Sequence, residues 1–289
     1  SFIVGTGGFV CFNIVGRPLY QASFGLFQVV ISILFVSPLL SMMDKIGIDL
    51  SLAYGNGETE GCKKAFSQGC ASILIAICCM CLPTLLGIKH ILHALGIDYR
   101  IVDIVHESMH PFMLVVIVQT VSETVRTFCL SQGMESTLGR LAICNNVLSI
   151  FTNWYMIVYL DLGIKGWVYT DLIYEFINLV GGVWTMQGAL PGSIGFASIN
   201  DTLDGFGCFF WESIKFMLGT YSEFIGYELT SIYVAMGGNN DSIGVFGGIV
   251  NFGGIIYRIG ITFAITCRTR VNILIGANLP NTARNFFRF

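Results

Sequence analysis

The chain has 289 residues, of which 54% are hydrophobic and only 11% charged, and its mean hydropathy is +0.73. Soluble domains carry about 25% charged residues, so this composition does not supply a water-facing surface, whereas a lipid solvent removes the need for one. The net charge of −3 names no partner, and no Lys/Arg run alternates with aromatics along a face, which argues against nucleic acid.

Residues 1–14 read as the last half of an apolar segment, with no initiator Met, no basic leader and no cleavage site, so the sequence is expected to be a fragment of a longer chain. Seven further apolar segments follow, at about 20–42, 68–90, 108–130, 142–162, 166–188, 208–236 and 243–266, each long enough to cross a bilayer as a helix of about 20 residues. The breaks carry turn chemistry, as in Gly55-Asn56-Gly57, Gly96-Ile97-Asp98, Gly163-Ile164-Lys165-Gly166 and Gly237-Gly238-Asn239-Asn240-Asp241. The longest polar interval, Gln187 to Gly207, reads as a linker between bundles. Pro38, Pro83 and Pro111 fall in or at the edge of helices and are expected to kink them. This is the pattern of an all-α, polytopic membrane protein with about seven full transmembrane helices and a partial first one.

Successive loops alternate sides. Lys45, Lys63, Lys64, Arg140, Arg268, Arg270, Arg284 and Arg288 fall on one face, and Arg17, Lys89, Arg100 and Lys165 on the other. The excess assigns the first set to the cytoplasm. Of two glycosylation sequons, Asn200-Asp201-Thr202 and Asn240-Asp241-Ser242, only the second then lies outside. Cys78, Cys79 and Cys81 sit inside an apolar run, and the ten cysteines read as small hydrophobes, because no second pair stands at zinc spacing. His90, His93, His106 and His110 cluster near the ends of two segments and read as interfacial residues.

An internal repeat organises the rest. Gly55-Asn56-Gly57-Glu58-Thr59, then Lys63 and Phe66, resembles Gly276-Ala277-Asn278-Leu279-Pro280, then Arg284 and Phe287, at a constant offset of 221 residues. Six segments lie between the copies, an even number, so both copies emerge on the same face. That is a parallel repeat about an axis along the membrane normal.

These residues carry a family resemblance. Leu52-Ala53-Tyr54-Gly55-Asn56-Gly57, continuing to Lys64-Ala65-Phe66-Ser67-Gln68-Gly69, resembles the end of the second helix, and the loop after it, of MATE (multidrug and toxic compound extrusion) transporters. Thr269-Arg270-Val271 with Gly276-Ala277-Asn278 resembles the exit of their eighth helix, and Ser131-Gln132-Gly133 the close of the fourth. Asn146, Asn153 and Leu162-Gly163-Ile164-Lys165-Gly166 resemble the fifth helix and its turn. Ser222-Glu223-Phe224-Ile225-Gly226-Tyr227-Glu228 is similar to the paired-glutamate motif of the seventh helix in eukaryotic members. The chain departs from the family pattern at Leu52 (usually Gln), at Gly47 (usually Asp) and at Phe224-Ile225 (usually two tryptophans), departures that bear on substrate range more than on fold. The resemblance implies twelve helices in two lobes of six. On that plan 1–190 is the first lobe, 191–207 the inter-lobe linker and 208–289 the first two helices of the second lobe.

Ionisable groups at membrane depth are costly and usually line a cavity or pathway. Glu223 and Glu228, about 140° apart around a helix, lie mid-segment. Burial disfavours a carboxyl's charged form and lets it exchange a proton near neutral pH, so Glu223 is expected to be the main coupling residue, with Glu228 in support. A structural pair with Arg258 on the next segment is the competing reading. Gln119 and Glu123 share a segment with Arg126, to which Glu123 stands at i, i+3. Asp171 and Glu175 share a face at i, i+4. Either both line a polar cavity, or Asp171 lies at the interface and Glu175 alone is buried. Asn146 and Asn153 fall on one stripe. Interhelical hydrogen bonding accounts for Asn146, while Asn153 is open between that role and a polar site.

No nucleotide-binding loop, catalytic triad or zinc-protease motif is present, so the chain is not expected to be an enzyme, and an ion gradient is the natural driver. The expectation is an H⁺- or Na⁺-coupled antiporter, without metal or other cofactor, exporting amphipathic organic cations by alternating access. It would work as a monomer in the plasma membrane or a vacuolar or endosomal membrane. A lipid-linked oligosaccharide flippase of related fold and a seven-helix receptor or channel subunit are the alternatives.

Overall fold

The computed structural model describes the backbone of residues 2–237 and 240–286. Side chains are described over the same range except at 2–5, 18, 80–82, 85 and a set of positions between 220 and 261 that includes Glu223, Glu228 and Arg258. Every regular element among the described residues is helical: α1 (Phe2–Val15), α2 (Pro18–Ile31), a π turn (Ser32–Val36), α3 (Ser37–Gly55), α4 (Thr59–Ala94), α5 (Tyr99–Ser131), α6 (Glu135–Asn153), a second π turn (Trp154–Tyr159), α7 (Gly163–Met186), the short α8 (Ile199–Leu203), α9 (Phe206–Gly237), α10 (Asn240–Gly276) and α11 (Pro280–Phe286).

The expected apolar segments fall on these helices, with 142–162 and 166–188 running just past the ends of theirs. Most helices outrun their segments, because backbone hydrogen bonding does not stop where hydrocarbon does. Helix α3 runs on through Asp44, Lys45 and Asp49 to Gly55, and α4 begins at Thr59. By length and hydropathy Leu19–Gly55, Thr59–Cys79, Tyr99–Ser131 and Glu135–Tyr159 can cross a membrane. In α7, Asp171, Glu175 and Asn178 interrupt the apolar sequence. The turns predicted after α3 and α4 place Gly57 and Gly96 at φ +72° and +77°, which residues with a Cβ rarely adopt.

Pro38 does not break the α2–α3 rod. It has no N–H for the carbonyl four residues back, and the π turn lies just before it, closed by the Ser37 N–H donating to the Ser32 carbonyl.

The core of the first six long helices is aromatic. Trp167 of α7, 2% exposed, meets Phe24 and Phe27 of α2 edge-on at 5.3 and 5.9 Å between ring centroids and stacks on Phe112 of α5 at 6.1 Å. Gly8 of α1 lies against it, where a Cβ would stand 2.4 Å from Trp167 Cδ1. Helix α7 also wedges between α5 and α6 on adjacent glycines. A Cβ at Gly181 would reach Leu141 Cδ2 at 2.2 Å, and one at Gly182 would reach Val125 Cγ1 at 2.9 Å.

The repeat is visible as a reciprocal contact. The C-terminal ends of α3 and α10 cross with Gly55 under the Ile273 carbonyl and Gly276 under the Leu52 carbonyl. Ion pairs respect the expected sidedness. Asp44–Arg268, Glu135–Arg270, Lys45–Glu212 and Lys64–Asp204 all lie at the end that carries this crossing. Arg17–Asp161, Lys89–Asp103 and Lys165–Glu107 lie at the opposite end.

The polar interval after α7 is strapped to the first helices. The buried Gln68 side chain of α4 donates to the Thr202 and Asp204 carbonyls at 3.0 and 2.9 Å. Lys64 holds the Asp204 carboxylate at 2.7 Å. Gln132 accepts from the Leu190 N–H at 2.8 Å and donates to Ser193 at 3.1 Å.

Candidate functional site

The glycine wedge brings α7 close enough to α5 and α6 for their polar residues to meet inside the bundle. Asp171 and Glu175, one turn apart on α7, are 2% and 0% exposed. Both are therefore buried, so Asp171 does not sit at an exposed interface with Glu175 alone buried. Within electrostatic reach of Glu175 lie Asp171, Asn178 and Glu123 of α5. Glu123 accepts from Arg126 at 3.1 and 3.2 Å, the i, i+3 pair expected from sequence. Arg126 also faces Tyr174 and Glu175. Its side chain is 51% exposed and that of Glu123 17%, so the pair stands at the edge of the buried acids.

Arg126 thus faces two carboxylates, Glu123 and Glu175, and Asp171 adds a third beside Glu175. With all three ionised, like charges crowd together in a medium of low dielectric. Burying even one unpaired charge is costly. Such a cluster is relieved by taking up a proton, an alkali cation or an organic cation.

Glu123 also borders a narrow crevice between α5 and the α2–α3 rod, with room for little more than a water, lined by Phe35, Val36, Leu39, Gln119, Thr120 and Glu123. Gln119 and Glu123 are thus brought together, and the π turn before Pro38 supplies the facing wall.

Asn153 is fully buried at the end of α6, facing α1, where a Cβ on Gly7 would lie 3.0 Å from its amide nitrogen. It stands just before the second π turn, whose opening is marked by the Leu160 N–H donating to the Tyr155 carbonyl. Asn146 does not have the interhelical role expected of it. It is half-buried, and the neighbouring Asn145, 3% exposed, bonds across to α7 instead. The buried polar positions of α6 are Asn145, Ser149 and Asn153, because the α6 face that meets α7 at one end turns toward α1 at the other. Asn145, Asn178 and Tyr174 were missed from sequence. The signal available for Asn178 was its position seven residues after Asp171 on the same stripe. The side chains of Glu223, Glu228 and Arg258 lie outside the described residues. No group of three or more metal-ligating side chains converges among the described residues, His90, His93, His106 and His110 included.

Neither a protein-family model nor a curated protein matches the sequence. Solved structures do. The eukaryotic MATE transporter AtDTX14 superposes with a TM-score of 0.85 at 17% identity, over 99% of this chain and 66% of that one. A mutant of the Vibrio cholerae MATE transporter VcmN gives 0.76 at 15% identity, over 99% and 66%. An inward-facing multidrug resistance MATE family transporter of the MOP superfamily gives 0.63 at 14% identity, over 99% and 65%. The chain therefore has the fold of the MATE transporters and spans about two thirds of the length of these structures.

Proposed function

We propose that the chain forms the ion-coupling part of a membrane antiporter that exports amphipathic organic cations by alternating access. The observation that carries this reading is the pair of buried acids Asp171 and Glu175 beside the partly exposed ion pair Glu123–Arg126. The shared fold with MATE transporters supports it. A proton or Na⁺ taken up at Glu175 and Asp171 relieves their repulsion, and an organic cation drawn to Glu123 competes with it. A ligand moves a two-state equilibrium only through its differential affinity for the two states. Here the differential comes from charge, since a cation held at one of these acids repels a second brought beside it. Glu223 and Glu228 are proposed to contribute from the second lobe, on the strength of the motif alone.

The test is ethidium efflux from vesicles holding the purified protein, driven in turn by a proton and a sodium gradient. Glu175→Gln and Asp171→Asn are each expected to lower gradient-driven efflux at least about tenfold, the order of one lost charge interaction of about 1.4 kcal/mol or more. Efflux that keeps its full dependence on either gradient in Glu175→Gln would rule the coupling site out.

A further inference from the structure

The strap between α7 and α9 climbs the side of α4 and then turns across it. A Cβ on Gly192 would stand 3.9 Å from Thr59, in the first turn of α4, and one on Gly195 would stand 4.0 Å from Lys63, one turn further in. The Ala197 N–H donates to the Ser67 hydroxyl at 2.9 Å, another turn in. There the climb stops. The Thr202 and Asp204 carbonyls both accept from the amide of Gln68, the very next residue of α4. From Ala197 to Asp204 the chain therefore runs across α4 and not along it, and α8 lies within that crosswise stretch. The level is marked by the sequence of α4. Gln68 stands about 13 Å along the helix axis from Thr59, and it opens the apolar run 68–90.

Ser198 holds α8 in shape. Its hydroxyl accepts from the Asp201 N–H at 3.2 Å and donates to the Asp201 carboxylate at 2.6 Å. The helical turn fixes the side-chain directions. At about 100° per residue, Ile199 and Leu203 point within about 40° of one another, Asp201 points opposite them, and Thr202 lies about 80° to one side. Thr202 is half-buried, on the flank that meets the protein, whereas Ile199 and Leu203 are 78% and 64% exposed. Phe196, just before the turn, rests on Phe66 at 5.6 Å between ring centroids and is otherwise exposed. One apolar side, an acid opposite it and a flank against the protein is the layout of a helix lying in a bilayer surface.

We propose that α8 is an in-plane membrane anchor, with Phe196, Ile199 and Leu203 inserted below the headgroups of the bilayer that the long helices cross. The next helix marks the same boundary independently. Trp211, near the start of α9, is exposed, and Trp collects where membrane meets water. Lys215, one turn deeper, holds its ammonium 5.9 Å from the centre of the Trp211 ring. It is turned back toward the end at which α9 enters, as a lysine within the membrane must be to keep its charge in water. The strap is thus held twice, by polar bonds to α4 and by apolar insertion into lipid. Because it joins α7 to α9, the anchor sets the height of that connection in the membrane. None of this depends on the coupling site.

The experiment places a photoreactive benzophenone side chain at position 199, 201 or 203 of the purified protein in phosphatidylcholine vesicles, whose headgroups carry no net charge. Illumination is expected to add the mass of one phospholipid at 199 and 203 at least about fivefold more often than at 201. Equal yields at the three positions, or an adduct with a second protein molecule in place of lipid, overturn the proposal. A second measurement needs no bulky probe. In the same vesicles, Ile199→Ser combined with Leu203→Ser is expected to quicken amide exchange over residues 196–205 by about tenfold, while Asn200→Ser, away from the apolar side, leaves it unchanged. Exchange in the double variant equal to that of the parent also overturns the anchor.

Discussion

Gly55 and Gly276 occupy equivalent places in the two copies of the repeat, and each lies beneath a backbone carbonyl of the other copy. A Cβ on Gly55 would stand 2.3 Å from the Ile273 oxygen, and one on Gly276 would stand 2.4 Å from the Leu52 oxygen. Leu52 and Ile273 are themselves 221 residues apart, like the two glycines. Residue i meets partner j while partner i meets j, which is the signature of a two-fold axis between similar surfaces. Here the axis relates two parts of one chain. The crossing also lies among the ion pairs Asp44–Arg268 and Glu135–Arg270 at the same end of the bundle.

Gly55→Val is expected to force this crossing apart, since backbone cannot yield as a flexible side chain does. Overpacking costs about 1–3 kcal/mol, and the loss should appear at this end of the molecule. Cysteines introduced by Asn56→Cys and Ala277→Cys report the separation. They should join readily through a short bifunctional reagent in the parent and at least about fivefold less readily with Gly55→Val, for a shift of about 1 kcal/mol in the closing equilibrium. Equal yields with and without the valine would mean that the crossing is not tight.

Arg126→Gln should be more damaging than Glu123→Gln, because it leaves Glu123 and Glu175 facing one another without their cation. Adding Glu123→Gln to Arg126→Gln should recover part of the loss. With Arg126 half exposed, a coupling of about 1 kcal/mol is expected in a double-mutant cycle on thermal stability in detergent. A coupling of zero would show the pair to be incidental.

Gln68→Ala removes two bonds that hold the strap to α4. At about 0.5–1.5 kcal/mol net for each, the segment around α8 should open on the order of tenfold more often. Amide hydrogen exchange over residues 196–205 reads this directly, and exchange in α5 serves as the internal control. Protection at 196–205 equal to the parent would contradict the strap.

The strap should also respond to acid. The Lys64 ammonium, by hydrogen bond and charge, holds the Asp204 carboxyl below its ordinary value. A group whose folded value is depressed contributes stability above its unfolded value of about 4 and loses it as pH falls through the folded one. Exchange at 196–205 should therefore quicken below about pH 4 in the parent. Asp204→Asn should exchange faster already at neutral pH and show a flatter acid response.

Much of this architecture is readable from the sequence for reasons that can be named. Hydrophobic run length places the helices, since lipid imposes a minimum apolar span. The 221-residue offset found the Gly55 and Gly276 turns, because a small residue is needed wherever two backbones touch. Periodicity also paired Asp171 with Glu175. It did not find Asn145, because a helical period gives the angle of a residue about its own axis and not the neighbour waiting at that angle. Asn146 and Asn153 share a stripe by count, yet α6 changes neighbours along its length, so the buried stripe is Asn145, Ser149 and Asn153.

The π turn at Ser32–Val36 has a consequence for comparing this rod with others. Such a turn accommodates one residue more than the α turn it replaces, and each residue turns a helix by about 100°. The faces of α2 and α3 are therefore phased as though a single residue had been slipped between them. Phe24 and Phe27 above it and Leu39, Met42 and Ile46 below it are buried by two different periodic patterns, not one. Any alignment of this rod with a straight helix must open a one-residue gap there. Deleting one residue from 32–36 would therefore let the segment close into plain helix while the aromatic face of α2 stays turned toward Trp167.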